Sequence, residues 1–90
     1  MSGSAQRDTE TPPHPPWDRE VDARGLLCPL PVLRARKVLL AMAPGQVLRV
    51  LATDPAAVID MPHFAREAGH DLIASLPEGE ATAYYLRRGG

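Results

Sequence analysis

Pro29 and Pro31 stand one residue apart at the head of an apolar run. Proline fixes φ and carries no N–H, so a helix accepts it in its first turn, where backbone donors have no intrahelical partner anyway. The pair therefore marks a helix start, with Pro29 as the first helical residue and Cys28 as the N-cap. From Pro29 to Met42 the apolar positions Val32, Ala35, Leu39 and Met42 follow helical spacing, with Val38 beside them. Arg34, Arg36 and Lys37 fall largely off that stripe. Pro44-Gly45 closes the helix.

Around this helix the remaining pattern is mostly that of strands. Glu20 to Arg24 alternates about Val21 and Ala23 and ends at Gly25. Val47 to Thr53 is apolar apart from Arg49, as a central strand covered on at least one face would be. Asp54-Pro55 repeats the helix-start signal, with Asp54 as N-cap. Pro62 is expected to break the following segment into a short turn over 56–59 and a helical piece over 62–68, closed by Gly69. Asp71 to Leu76 and Ala81 to Arg87 read as strands joined in a hairpin through Pro77-Glu78-Gly79-Glu80. The order β-α-β-α-β-β predicts an α/β two-layer sandwich: a four-stranded mixed sheet with two helices on one face.

Residues 1–19 hold Pro12, Pro13, Pro15 and Pro16 among polar groups and read as a disordered or loosely docked, Pro-rich N-terminal tail. Residues 20–90 form the domain. At about seventy residues it is near the lower limit for a core without disulfide or metal, so most of its Leu, Val and Ile must be inside. Cys28 is the only cysteine, which excludes an internal disulfide and an internal resolving thiol. No apolar stretch reaches membrane-spanning length, and the N-terminus lacks a signal-peptide layout. A cytoplasmic location and no membrane partner are expected. The net charge of −1 gives no electrostatic reason to expect nucleic acid.

A sulfur at the N-cap faces the positive end of the helix dipole and the N–H of Leu30, and both are expected to favour thiolate over thiol. The dipole contributes only about 0.3–1 kcal/mol at an exposed site. Arg24 and Arg36 would add to it if they approach the sulfur. The bland alternative for a lone cysteine is a buried structural role, and peroxide sensing is another. The two prolines at the helix head, together with the resemblance described next, favour a reactive surface thiol.

From about Val21 onward the chain resembles the TusA/SirA-type sulfur-carrier proteins. The resemblance rests on Asp22-Ala23-Arg24-Gly25-Leu26 and Cys28-Pro29-Leu30-Pro31, and on Arg36-Lys37, Pro44-Gly45, Thr53-Asp54-Pro55, the Asp60/Pro62 pair and Leu86-Arg87-Arg88-Gly89-Gly90. It implies that Cys28 carries sulfane sulfur as a persulfide, as a carrier rather than a stand-alone enzyme. A cysteine desulfurase or rhodanese-like protein would load it. A DsrE/TusD-like or other cysteine-bearing acceptor would take the sulfur, for tRNA thiolation, cofactor assembly or dissimilatory sulfur oxidation. No cofactor is implied. The alternative within the same resemblance is a non-catalytic, SirA-like regulatory or interaction module.

Pro29 and Pro31 start the helix and hold the geometry of the sulfur. Asp54 reads first as a structural cap and Arg34, Arg36 and Lys37 as a solvated face. The functional reading makes Arg24, Arg34, Arg36, Lys37 and Asp54 the surroundings of the sulfur or of a docked partner, with the helix cations as a basic rim. His14, His63 and His70 show no metal-ligand spacing with Cys28, so no metal is expected. Phe64 and Met61 read as core. Trp17 is either loose or packed at the domain edge. Gly89-Gly90 reads as a flexible end; its alternative, a terminal thiocarboxylate of the ubiquitin-like kind, fits poorly with a chain that begins strand, glycine, cysteine, helix.

Overall fold

Two crossovers and a hairpin build the sheet. The computed structural model describes residues 14–90, and the chain runs β1 (Arg19–Ala23), α1 (Leu30–Leu40), β2 (Val47–Ala52), α2 (Ala57–Ala68), β3 (Asp71–Glu78) and β4 (Ala81–Arg87). The strand order is β1-β2-β4-β3, with β1 parallel to β2 and β4 antiparallel to both β2 and β3. The mixed four-stranded sheet and the order of elements are those read from the sequence. Among the described residues no helix is long and apolar enough to cross a membrane.

The two-residue period of a strand decides which side chains meet the helices. Val21 and Ala23 of β1, Leu48, Val50 and Ala52 of β2, and Tyr84 and Leu86 of β4 pack in one core with Ala35 and Leu39 of α1 and Met61, Phe64 and Ala65 of α2. The alternate positions Leu51, Ala83 and Tyr85 form a second cluster on the helix-free face. β2 is therefore buried on both sides, which accounts for its nearly unbroken apolar sequence. Pro77 is tolerated in β3 because that strand is an edge.

Arg49 is the exception inside β2, and the helix-free face is organised around it. Its side chain is 10% exposed and pairs with Glu20 and, at 3.0 Å, with Glu78. Nε donates to the Tyr85 hydroxyl at 3.1 Å. The Trp17 ring lies 4.5 Å from the guanidinium carbon, a cation–π contact. His14 stacks on Tyr85 with centroids 6.1 Å apart. Residues 1–13 of the expected tail lie outside the described residues. Its remainder runs along this face, with the Asp18 N–H donating to the Val47 carbonyl and the Val47 N–H to Asp18 Oδ2, both at 2.8 Å.

Two expectations need correction. Pro62 does not divide the second helical segment, because α2 runs unbroken through it. Proline has no N–H to donate to Val58 four residues earlier, at a cost of about 3 kcal/mol in a helix interior. Val58 is exposed, so its carbonyl can turn to water, while Met61, Phe64 and Ala65 bury the other side of the same turns. Gly69 then ends the helix at φ +79°, with the His70 N–H returning to the Ala65 carbonyl at 2.8 Å. The second correction concerns Gly89, which is docked rather than flexible. Its N–H donates to His70 Nδ1 at 3.0 Å, and a Cβ there would stand 1.8 Å from the Gly69 carbonyl oxygen.

Candidate functional site

Parallel pairing sets Ala23 opposite Ala52, so the segments that follow β1 and β2 leave the sheet at the same end. There they are tied together. Gly25, at φ +80°, turns the chain after β1, and its N–H donates to Thr53 Oγ1 at 2.9 Å. The Cys28 N–H donates to Asp54 Oδ2 at 2.6 Å. Asp54 Oδ1 accepts the Ala56 N–H at 3.2 Å. One carboxylate thus joins the head of α1 to the approach to α2, whose own N-cap, Ala56, makes no side-chain capping bond.

The start of α1 lies one residue later than the sequence implied. Pro29, not Cys28, is the N-cap, and Pro31 falls within the first turn. The Leu30 N–H, expected to face the sulfur, donates instead to the Leu27 carbonyl at 2.8 Å. The Cys28–Pro29 peptide is cis.

Cys28 is exposed and lines a depression of about 190 Å³ with Pro29, Val32, Asp60, His63 and Phe64. Hydrogen bonding to Asp60 pushes the Cys28 thiol above the ordinary cysteine range, and partial desolvation and the charges of Asp60 and Asp54 act in the same direction. This reverses the expected thiolate. The Leu30 amide is occupied elsewhere, and a modest dipole contribution is outweighed by the Asp60 and Asp54 carboxylates. Leu27, Leu30, Val58 and Ile59 are exposed, and they flank Cys28 and Asp60 along the chain.

The cations of the sequence reading do not line this depression. Arg24 is engaged with Asp22 through Nε at 2.9 Å and Nη2 at 2.8 Å, and these hydrogen bonds hold the Asp22 carboxyl down to about 2. Arg34 and Lys37 face Glu20 and Asp22 across a groove between α1 and β1. Arg36 lines a separate hollow with Leu40, His70 and Arg88. Asp54 is at the site, though as a backbone tether between two segments. Asp60 and His63 were not read as site residues. Their i, i+3 spacing with the Phe64 that follows gives one side of a helix, but nothing local sets that side against Cys28.

The fold and the site together define a small two-layer α/β domain that presents one thiol at the head of its first helix. A family model described as Sulfurtransferase TusA matches residues 19–88, and the chain belongs to that family. It is 49% identical over 72 residues to the sulfur carrier protein TusA of Allochromatium vinosum, covering 80% of this chain and 95% of that one. It is 36% identical to the putative sulfur carrier protein YrkI of Bacillus subtilis, covering 80% of this chain and 96% of that one. The crystal structure of the SirA-like protein from Desulfitobacterium hafniense superposes with a TM-score of 0.71 at 25% identity, covering 81% of this chain and all of the other.

Proposed function

We propose that this chain is a sulfur carrier that accepts sulfane sulfur as a persulfide on Cys28 and passes it to a cysteine of an acceptor protein. The observation that carries the reading is the exposed position of Cys28 at the head of α1, in a chain whose relatives are named sulfur carriers. Pro29 and Pro31 fix the backbone beside the sulfur. The thiol has no second cysteine in the sequence with which to close a disulfide, so discharge is intermolecular. A cysteine desulfurase or rhodanese-like protein acts as donor, and the exposed Leu27, Leu30, Val58 and Ile59 supply apolar surface for donor and acceptor in turn.

The test is to incubate the protein with a cysteine desulfurase, cysteine and pyridoxal phosphate and to measure its intact mass. One added sulfur, removed by a reductant and absent from Cys28→Ser, is the expected result. An unchanged mass with both desulfurase and rhodanese donors overturns the reading.

A further inference from the structure

The surroundings of Cys28 make its proton hard to lose. The Leu30 and Cys28 amides are occupied, and the charged groups that act on the thiol are the carboxylates of Asp60 and Asp54. A sulfur in that setting becomes a nucleophile only if a group within hydrogen-bond reach takes the proton as the new bond forms. Three residues at the site carry a group that could take it. Asp54 already accepts backbone N–H groups at both oxygens, from Cys28 and from Ala56. His63 lines the depression from the solvent side of α2 and is exposed. Asp60, in the first turn of α2, lines the depression with Cys28, acts on the thiol more strongly than any other group in raising its pKa and, among the described residues, belongs to no salt bridge.

We propose that the Asp60 carboxylate is the proton acceptor for Cys28 during sulfur transfer, an inference that rests on the persulfide reading above. Cys28 Sγ attacks the outer sulfur of a donor persulfide, and the new S–S bond forms as the donor's S–S bond breaks. The Cys28 proton passes to Asp60 and then to the departing donor sulfur, which leaves as a thiol. One thiol and one persulfide become one persulfide and one thiol, with no net oxidation. The same carboxylate that withholds the free thiolate therefore assists the transfer, and its removal moves two readouts in opposite directions.

The experiment compares wild type, Asp60→Asn, Asp60→Glu and Cys28→Ser at pH 7, with folding checked by circular dichroism. Iodoacetamide labelling reads the standing thiolate. Sulfur uptake from glutathione persulfide, followed by intact mass, reads the transfer without a docking protein. Asp60→Asn is expected to label several-fold faster and to take up sulfur at least about tenfold more slowly, below the usual range for a positioned base because the site is open. Asp60→Glu is expected to recover much of the uptake. Uptake by Asp60→Asn that equals or exceeds wild type, or a slowing of labelling and uptake together, overturns the role of Asp60 and leaves the carrier reading standing. Wild-type protein that takes up no sulfur, or Cys28→Ser that does, removes the carrier reading and this inference with it.

Discussion

The Cys28 amide and the Asp54 carboxylate meet at 2.6 Å, across a separation of 26 residues in sequence. A carboxylate that also accepts the Ala56 amide holds two loops with one side chain. Hydrogen bonds to charged acceptors contribute about 1.5–3 kcal/mol, and the solvent-exposed setting of this bond moves it to the lower side. Asp54→Ala is therefore expected to cost about 1 kcal/mol in urea unfolding and to speed alkylation of Cys28, because a negative charge near the sulfur is lost. Unchanged stability together with unchanged alkylation would show that the tether does not operate in solution.

The thiol itself offers a pH test. Asp60, by hydrogen bonding and charge, raises its pKa above that of an ordinary cysteine. The folded chain thus keeps this proton to higher pH than the unfolded chain does. The linked stability is fully present below the pKa of the unfolded cysteine and is lost as pH rises through the higher folded value. The rate of iodoacetamide labelling against pH should show a midpoint above that of the same chain in denaturant. A midpoint at or below the denatured value contradicts the acidic surroundings described for the site.

On the helix-free face, Arg49→Ala is expected to cost about 1–3 kcal/mol, measured by denaturant unfolding. Removal of a buried member of an ion pair can cost more, but Glu20 and Glu78 are 40% and 55% exposed and can rehydrate. Tryptophan fluorescence should shift to the red in the same variant as Trp17 loses its cation. A loss of stability with no change in Trp17 emission would separate the ring from the cluster.

His70 holds Gly89 through Nδ1, which accepts a proton bond only while that nitrogen is unprotonated. Burial lowers the His70 pKa, Arg88 acts in the same direction, and Asp71 opposes them. The Phe64 ring, with its centroid 5.8 Å away, packs beside the imidazole. A depressed histidine contributes stability above the unfolded pKa of about 6.5, and that stability is lost as pH falls through the folded value. Protection of the Gly89 amide, measured against its intrinsic exchange rate at each pH, should fall below that window in wild type and be absent throughout in His70→Ala. A Gly89 protection factor that does not change with pH would exclude the imidazole as its anchor.

The parts of this molecule that a reader of the sequence can find are those that rest on local pattern. Ala35 and Leu39 declare the buried side of α1, and the apolar run of β2 declares a central strand. Pro62 misleads because the local rule for proline omits the burial of Met61 and Phe64 around it. Of the site, Cys28, Pro29 and Asp54 are legible in the sequence, while Asp60 and His63 are not. Its electrostatics come from Asp54 and Asp60, which the parallel pairing of β1 with β2 and the packing of α2 bring to the sulfur. Trp17 and Arg49 meet for the same kind of reason, since their contact is made across strands and by a segment with no periodic signal.

The carboxylates beside Cys28 belong to later stretches of chain, so the sulfur acquires its chemical character only at closure of the fold. A ribosome-bound or unravelled copy carries an unremarkable thiol, open to stray oxidants and to disulfide exchange. Completion of the domain is thus also the moment at which its one thiol is withdrawn from indiscriminate traffic.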